Sequence, residues 1–425
     1  MKLNTKRTIL VGLAFMSICA FWQLYDGIIP LILKNSFHIG DTLAGGIMAL
    51  DNVLALFLLP LFGGISDRVG SKFGRRIPFI VCGTAAAVIS MLLIPIADDI
   101  RSLGLFIAGL LLVLLAMSTY RSPAVALMPD VTPKPLRSKA NAIINLMGAI
   151  GGMVTLLLIS ALVPKTGRPD YFPLFAAVAA IMAVSVVVLI LKVKERAAAA
   201  EAAAQQPEEE PQLDAGGRPV PMDKGVKRSL AFILISVALW FMGYNAVTTA
   251  FSKYAQVYWG LKGGGFANCL LIATGAAIAS YIPVGIIATR IGRKKTILFG
   301  AGLLALAFAA GTFFRTFSPA INVLFVVVGI AWASINVNSY PMVVEMSRGS
   351  DVGKFTGFYY SFSMAAQIVT PILSGALLEH VGYYTLFPYA AVFVALSFVT
   401  MLFVKHGDSK PVLPESKLEV FDVED

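Results

Sequence analysis

Twelve apolar runs, each of about twenty residues or more, follow one another through this chain, and no other feature leaves it so few ways to fold. They lie near residues 8–34, 41–65, 76–97, 102–128, 138–163, 171–193, 229–252, 265–289, 295–315, 319–344, 354–379 and 384–404. A run of that length crosses the ~30 Å hydrocarbon core of a bilayer as an α-helix. Composition agrees: 57% of the 425 residues are hydrophobic and 14% charged, against roughly 45–50% and 25% in a soluble domain. The expected fold class is therefore an all-α membrane protein of twelve transmembrane helices.

An even number of spans puts both termini on one side. Of the 34 Lys and Arg, 26 fall in the turns on that side and seven in the opposite turns, with Arg121 left inside a span. The excess of basic residues predicts that both termini and the long central loop are cytoplasmic, in a plasma or cell inner membrane. The net charge of +10 does not point to nucleic acid, because the basic residues are gathered into short turns and form no continuous patch. The opening Met1–Arg7 and the run behind it read as an uncleaved first span: no Ala-x-Ala-like site interrupts the run, and Ile18 before Cys19 does not suit a lipoprotein cleavage box.

The turn after the second run is the most informative. Gly63, Asp67, Arg68 and Gly70 are followed by Lys72, Phe73, Gly74, Arg75 and Arg76, and a degenerate copy runs from Gly285 through Arg290 and Gly292 to Lys295, about 222 positions later. A second repeat joins the fourth run to the fifth and the tenth to the eleventh: Asp130 precedes Lys139, and Glu345 precedes Lys354, by the same nine residues. The chain therefore reads as two halves, 1–193 and 229–405, joined by a flexible linker at 194–228 and followed by a polar, unfolded tail at 406–425. The linker begins with a helix-favouring Glu195–Ala204 stretch, before Pro- and Glu-rich sequence that cannot build a core. Asp67, Arg68, Arg75, Arg76, Asp130, Arg137, Lys139, Arg290, Glu345 and Lys354 are candidates for a cytoplasmic gate, with Asp67 paired to Arg75 or Arg76 and Asp130 to Arg137 or Lys139. The alternative is ordinary solvated turn charge.

These motifs resemble the major facilitator superfamily of transporters. The Asp67-Arg68 turn with its four-residue insertion before Phe73-Gly74-Arg75-Arg76, together with Arg121-Ser122-Pro123 through Pro129-Asp130 and Lys139-Ala140-Asn141, is similar to the sucrose/proton symporter branch of the glycoside–pentoside–hexuronide:cation symporters. The resemblance implies two pseudo-symmetric six-helix bundles and proton-coupled import of a small glycoside by alternating access. Two departures stand out. Plant and animal members carry an arginine two residues after the fourth-span proline, where this chain has Val125 and instead places Arg121 two residues before it; and where sodium-coupled members have two aspartates on the second span, this chain has Ala55 and Leu59.

An ionisable group at the centre of a bilayer costs about 2.5–3.5 kcal/mol on insertion scales, so each one marks a functional candidate. Asp26 and Asp51 sit at similar depth on neighbouring spans and are the proton-coupling candidates, since a desolvated carboxylic acid gains by protonation. Arg121 lies deeper, too far to reach Asp51 directly without helix tilt or an intervening substrate; its alternative is a head that snorkels to the surface. Sugar hydroxyls need amides and charges, and sugar rings need aromatic faces. Arg121, Gln23, Asn52, Asn145, Trp240, Tyr244, Asn245, Asn336, Asn338 and Gln367 are the substrate-binding candidates, and Trp22, Tyr25, Trp332 and Tyr359 belong to the same polar and aromatic set. The aromatics have a competing role in packing.

Enzymatic chemistry is not expected: no Ser-His-Asp set or phosphate loop is discernible, and His38, His380 and His406 lie at span ends. No cofactor or metal is expected, since Cys19, Cys82 and Cys269 fall singly inside apolar runs. Partners are a small-molecule substrate, protons and the lipid bilayer, with the chain acting as a monomer. An exporter of drugs or metabolites by proton antiport fits the shared turn motif equally well. A scaffold or sensor without transport has only the central loop in its favour.

Overall fold

The structure, a computed structural model, describes residues 3–133, 137–164, 167–204, 223–346 and 352–408. They form α1 (Thr5–Asn35), α2 (Asp41–Arg68), α3 (Ile77–Met91), α4 (Leu93–Asp99), α5 (Leu103–Asp130), α6 (Arg137–Leu162), α7 (Phe172–Lys192), α8 (Glu195–Ala204), α9 (Lys224–Val257), α10 (Gly265–Ile291), α11 (Arg293–Gly311), α12 (Ala320–Glu345), α13 (Val352–His380) and α14 (Leu386–Leu402). Among the described residues, twelve spans are long and apolar enough to cross a bilayer, α3 and α4 together making one of them and the polar α8 none. The all-helical expectation and the count of twelve both hold. Prolines such as Pro30, Pro60, Pro123, Pro341 and Pro371 sit inside spans, where neighbouring helices can satisfy the freed carbonyls.

Packing divides the chain into two compact units, one within 1–206 together with 249–271, the other within 207–248 together with 272–425. In the first, α1 is the central element, lying against α5, α6 and α7, while α3 lies against α5 and α7. The α1–α6 approach depends on small residues. A Cβ at Gly148 would strike Phe15 and Cys19, and one at Gly151 would strike the Met16 backbone, the kind of close backbone contact that holds helices together in lipid. In the second unit α11 lies against α12 and α14, and Ser236 on α9 bonds Thr400 on α14 at 2.7 Å.

Each unit is closed at one end by the same device. In the first, Gly74 has φ +126° and a Cβ there would collide with the Glu195 carboxylate. That carboxylate accepts the backbone N–H groups of Arg75 (2.7 Å), Arg76 (3.0 Å) and Ile77 (2.9 Å), the orphan donors at the start of α3. In the second, Gly292 has φ +98° and lies against the Asp408 carboxylate, which accepts the Lys294 N–H at 3.1 Å. His406 Nδ1 meets Ser229 Oγ at 2.8 Å. The tail expected to be unfolded from 406 onward is thus docked through Asp408, and the part beyond it lies outside the described residues. Of the linker, Glu195–Ala204 is helical as its composition suggests, and Arg7 pairs with Glu201 at 2.7 Å.

At the opposite end of the first unit, Asp41 receives two lysines, Lys253 on Oδ1 at 3.0 Å and Lys34 on Oδ2 at 3.1 Å. Asn35 bonds Gln256 at 2.9 Å, Ser160 bonds Asn268 at 2.8 Å, and the Gly264 N–H reaches the Val163 carbonyl. These contacts seat residues 249–271 within the first unit.

Candidate functional site

Halfway along α1, the residues Phe21, Trp22 and Tyr25 form an aromatic rib. Trp22 meets Phe21 edge-on at 5.1 Å and Tyr25 edge-on at 5.4 Å between ring centroids. Phe21 and Tyr25 are buried, and the Tyr25 hydroxyl reaches across to the Met48 carbonyl on α2 at 3.4 Å. The rib is therefore fixed at both ends.

Arg121 extends from α5 to this rib and lays its guanidinium over the Trp22 ring, 5.3 Å from the centroid. Among the described residues no carboxylate comes within 4 Å of it. Asp51 on α2 nevertheless lies within electrostatic reach of Arg121, and Asp26 lies within electrostatic reach of Asp51. The sequence placed Arg121 too deep to address Asp51 directly; the fold brings the two into one electrostatic group while stopping short of an ion pair. Asp51 has a near partner, since Asn52 Nδ2 donates to its Oδ1 at 2.7 Å. Gln23 points its carbonyl oxygen toward Gly152 on α6. Asn145, also on α6, is exposed.

The second unit gathers a different set. Tyr244 on α9 and Trp332 on α12 stack face to face, 3.7 Å apart and 3° from parallel, with Phe241 edge-on to Trp332 at 5.5 Å. Trp240 is fully buried and Asn245 half-buried. Asn338 is buried and returns its amide to the Ser334 carbonyl at 3.0 Å, and Gln367 does the same to Ser363 at 3.3 Å. Asn336 is exposed. Tyr359 meets Ser339 at 3.0 Å. No Asp, Glu, Lys or Arg joins this cluster among the described residues, so it offers rings, hydroxyls and amides without charge.

The turn candidates are arranged around the closed ends. Arg76 is buried and gives Nε to Asp130 Oδ2 at 2.7 Å, with Nη1 on Ser66 Oγ at 2.5 Å; Arg75 is half-exposed and 3.6 Å from the same carboxylate. Asp130 thus takes the arginines of the α2–α3 turn. The side chains of Asp67, Arg137, Lys139 and Lys354 lie outside the described residues. Arg68 and Arg290 are exposed. Glu345 pairs with Arg293, a residue the repeat reading passed over. Glu195, Asp408, Lys34, Asp41 and Lys253 were also missed. The partners of Glu195 and Asp408 are backbone groups and Lys253 lies 212 residues from Asp41, and spacing along the sequence carries no trace of either; Lys34 and Asp41, seven residues apart, fall in a turn that carries no motif.

The Major Facilitator Superfamily model matches residues 11–282 and again 269–421. The chain belongs to this superfamily. It is a multi-pass membrane transporter of that fold. A sucrose transport protein of Arabidopsis thaliana (SUC4) is 35% identical over 114 residues, 23% of this chain and 22% of that protein. The proline/betaine transporter of Escherichia coli K12 is 25% identical over 176 residues, 40% of this chain and 34% of that protein. The chain thus aligns with about a fifth to a third of the length of these relatives. Among solved structures, the nucleoside transporter NupG superposes with a TM-score of 0.67 over 94% of this chain and 100% of that one, at 14% identity. A bacterial homologue of the iron transporter ferroportin also gives 0.67, over 94% and 99%, at 12% identity. Such identities speak to fold alone.

Proposed function

We propose that the chain is a proton-coupled symporter that imports a small glycoside by alternating access, with both termini in the cytoplasm. The observation that carries this is the placement of Asp51, half-buried mid-span, within electrostatic reach of Asp26 and of Arg121 but not paired with the arginine. A carboxylate so placed has two ways to be neutralised, a proton or the guanidinium, and exchanging one for the other is what coupling requires. With Ala55 and Leu59 on the same helix, the chain lacks the further acids that a sodium ion, which needs about six oxygen ligands, would call for. Asp51 carries the proton and Asp26 is its partner or substitute.

The sugar is recognised by Arg121, Gln23, Asn52 and Asn145 of the first unit and by Trp240, Tyr244, Asn245, Asn336, Asn338 and Gln367 of the second, through hydroxyl-directed polar groups and ring faces. Similarity to sucrose transport proteins supports a glycoside. A betaine-like cation is the other substrate suggested by a relative, but the Trp22 face that would cradle an ammonium group is already covered by Arg121. The pairs Arg76–Asp130 and Arg293–Glu345, with Asp67, Arg68, Arg137, Lys139, Arg290 and Lys354 in the same turns, act as the cytoplasmic gate, closed when paired and parted when that face opens.

Uptake of radiolabelled sucrose, maltose, trehalose and glycine betaine into proteoliposomes with an imposed pH gradient tests this. Accumulation of a sugar, collapsed by a protonophore and indifferent to sodium, is the expected result. Dye extrusion without sugar uptake would turn the assignment to a proton-driven exporter, and sodium-dependent uptake would remove Asp51 from its role.

A further inference from the structure

Arg121 is a half-buried cation inside a span, and the residue its charge rests on is aromatic. Its guanidinium rests on the Trp22 ring at 5.3 Å. The ring is held at a set angle by Phe21 and Tyr25, each edge-on to it, and Tyr25 is tied in turn to the α2 backbone at Met48, three residues before Asp51. Trp22 Nε1 is buried without a hydrogen-bond partner, so no polar contact fixes this side chain; ring packing and the cation above it do.

From these observations we infer that Trp22 is a positioning residue for proton coupling: its face holds Arg121 close enough to Asp51 to act on it electrostatically, yet away from the ion pair that would lock Asp51 in its charged form. An indole face attracts a guanidinium more strongly than any other side-chain ring does, and a desolvated Asp–Arg contact, once made, would favour the ionised acid and stop it from trading protons. Trp22 thus competes with Asp51 for the same cation. The groups facing this exchange are Asp26, Tyr25 and Cys19 from α1, Asn52 from α2, and Tyr120 beside Arg121 on α5. Asp26 is the other carboxylate among them; it is acted on by Asp51 and not by Arg121, whereas Asp51 is acted on by Arg121, which makes Asp51 the acceptor when the ring is removed.

The inference rests on Asp51 being the group that takes up the proton, and it is tested without any substrate. Infrared difference spectra of the purified full chain, wild type against Asp51→Asn, isolate the C=O stretch of protonated Asp51 and give its midpoint between roughly pH 4 and 9. In Trp22→Leu the midpoint should fall by about one pH unit, a tenfold loss of proton affinity, with Trp22→Phe, which keeps a weaker ring face, between the two. In an Arg121→Gln background, Trp22→Leu should move it no further, because the two residues act through one contact. Equal midpoints in wild type, Trp22→Phe and Trp22→Leu would overturn the positioning role while leaving Asp51 as the carrier. A full shift in the Arg121→Gln background would overturn it too, showing that Trp22 acts on Asp51 by packing. If wild type gives no Asp51 band in this range, the proton assignment itself falls and takes this role with it. Should Trp22→Leu fail to fold, the Trp22→Phe shift and its disappearance with Arg121→Gln decide the matter alone.

Discussion

At the end of each unit where its first helix begins, the two units of this transporter look alike, and halfway along their helices they do not. The first caps α3 with Glu195 and pairs Arg76 with Asp130; the second caps α11 with Asp408 and pairs Arg293 with Glu345. Mid-span, the first unit holds Asp26, Asp51 and Arg121, whereas the second holds Tyr244, Trp332, Asn338 and Gln367 with no charge among its described residues. A duplicated frame keeps whatever closes a helix bundle at its ends, because every copy has the same orphan N–H groups to satisfy. Nothing in the frame demands a mid-span charge, and burying one is costly. The charges on one side only fit the division of labour proposed above, in which ion coupling belongs to the first unit and ring and hydroxyl contacts to the second.

The sharpest way to break that division is to neutralise one member of each set. Asp51→Asn mimics the protonated acid in shape and charge, and should abolish accumulation of labelled sugar against a gradient while exchange across the membrane stays measurable. Trp332→Leu in the second unit removes the stacked partner of Tyr244. It should weaken substrate affinity by roughly tenfold, the scale of one aromatic contact, with coupling to the pH gradient intact. If Trp332→Leu uncoupled transport, or Asp51→Asn only raised KM, the two units would share the work and the contrast would dissolve.

How much of this could be seen in the sequence depends on the length scale of the interaction. Spans were legible because some twenty apolar residues in a row have one physical outcome in a bilayer, although α9, running from Lys224 to Val257, exceeds its apolar run at both ends, where charged residues continue the helix past it. Asp26, Asp51 and Arg121 were legible as charges out of place. Their grouping was not, since it depends on which faces of α1, α2 and α5 meet, and the stacking of Arg121 on Trp22 needs the reach of a side chain across two helices. The caps were invisible for a plainer reason. Glu195 serves N–H groups 118 to 120 residues earlier, and a backbone donor has no residue identity for a motif to record.

A second contrast lies within the first unit, between the two lysines that share Asp41. Asp41 and Lys253 are almost completely buried at 3% and 5% side-chain exposure, while Lys34 on the same carboxylate is 31% exposed. Removing one partner from a buried pair leaves the other charge without compensation, at a cost of about 3–5 kcal/mol. Asp41→Asn, which takes the carboxylate away from the buried Lys253, should lower the unfolding midpoint of the detergent-solubilised protein far more than Lys34→Met does, since the exposed partner of such a pair contributes about 0–1 kcal/mol. Comparable losses for the two variants would mean that residues 249–271 are held by their packing and hydrogen bonds, with the ion pair incidental.

The smallest effect expected separates the two caps themselves. Glu195 is buried and takes three backbone donors, whereas Asp408 is half-buried and takes the N–H of Lys294. A charged acceptor at a helix start is worth about 0.5–2 kcal/mol where it caps a single turn. Each further buried N–H left unsatisfied adds a penalty of its own. Glu195→Ala should therefore destabilise the protein by about 2–3 kcal/mol and Asp408→Ala by about 1, both read as shifts of the thermal midpoint. Glu195→Gln is the telling control: one amide oxygen can still accept from Arg75 and Arg76, but the amide nitrogen then faces the Ile77 N–H, so the variant loses one hydrogen bond and the interaction of charge with the α3 dipole, about 0.3–1 kcal/mol for the latter, and should fall between wild type and Glu195→Ala. If Glu195→Gln were as damaging as Glu195→Ala, the cap would work by its charge and its bond to Ile77, and the contacts to Arg75 and Arg76 would contribute little. If Asp408→Ala cost as much as Glu195→Ala, the two ends would be equivalent in energy as well as in design, and the greater burial of the first would have no consequence for stability.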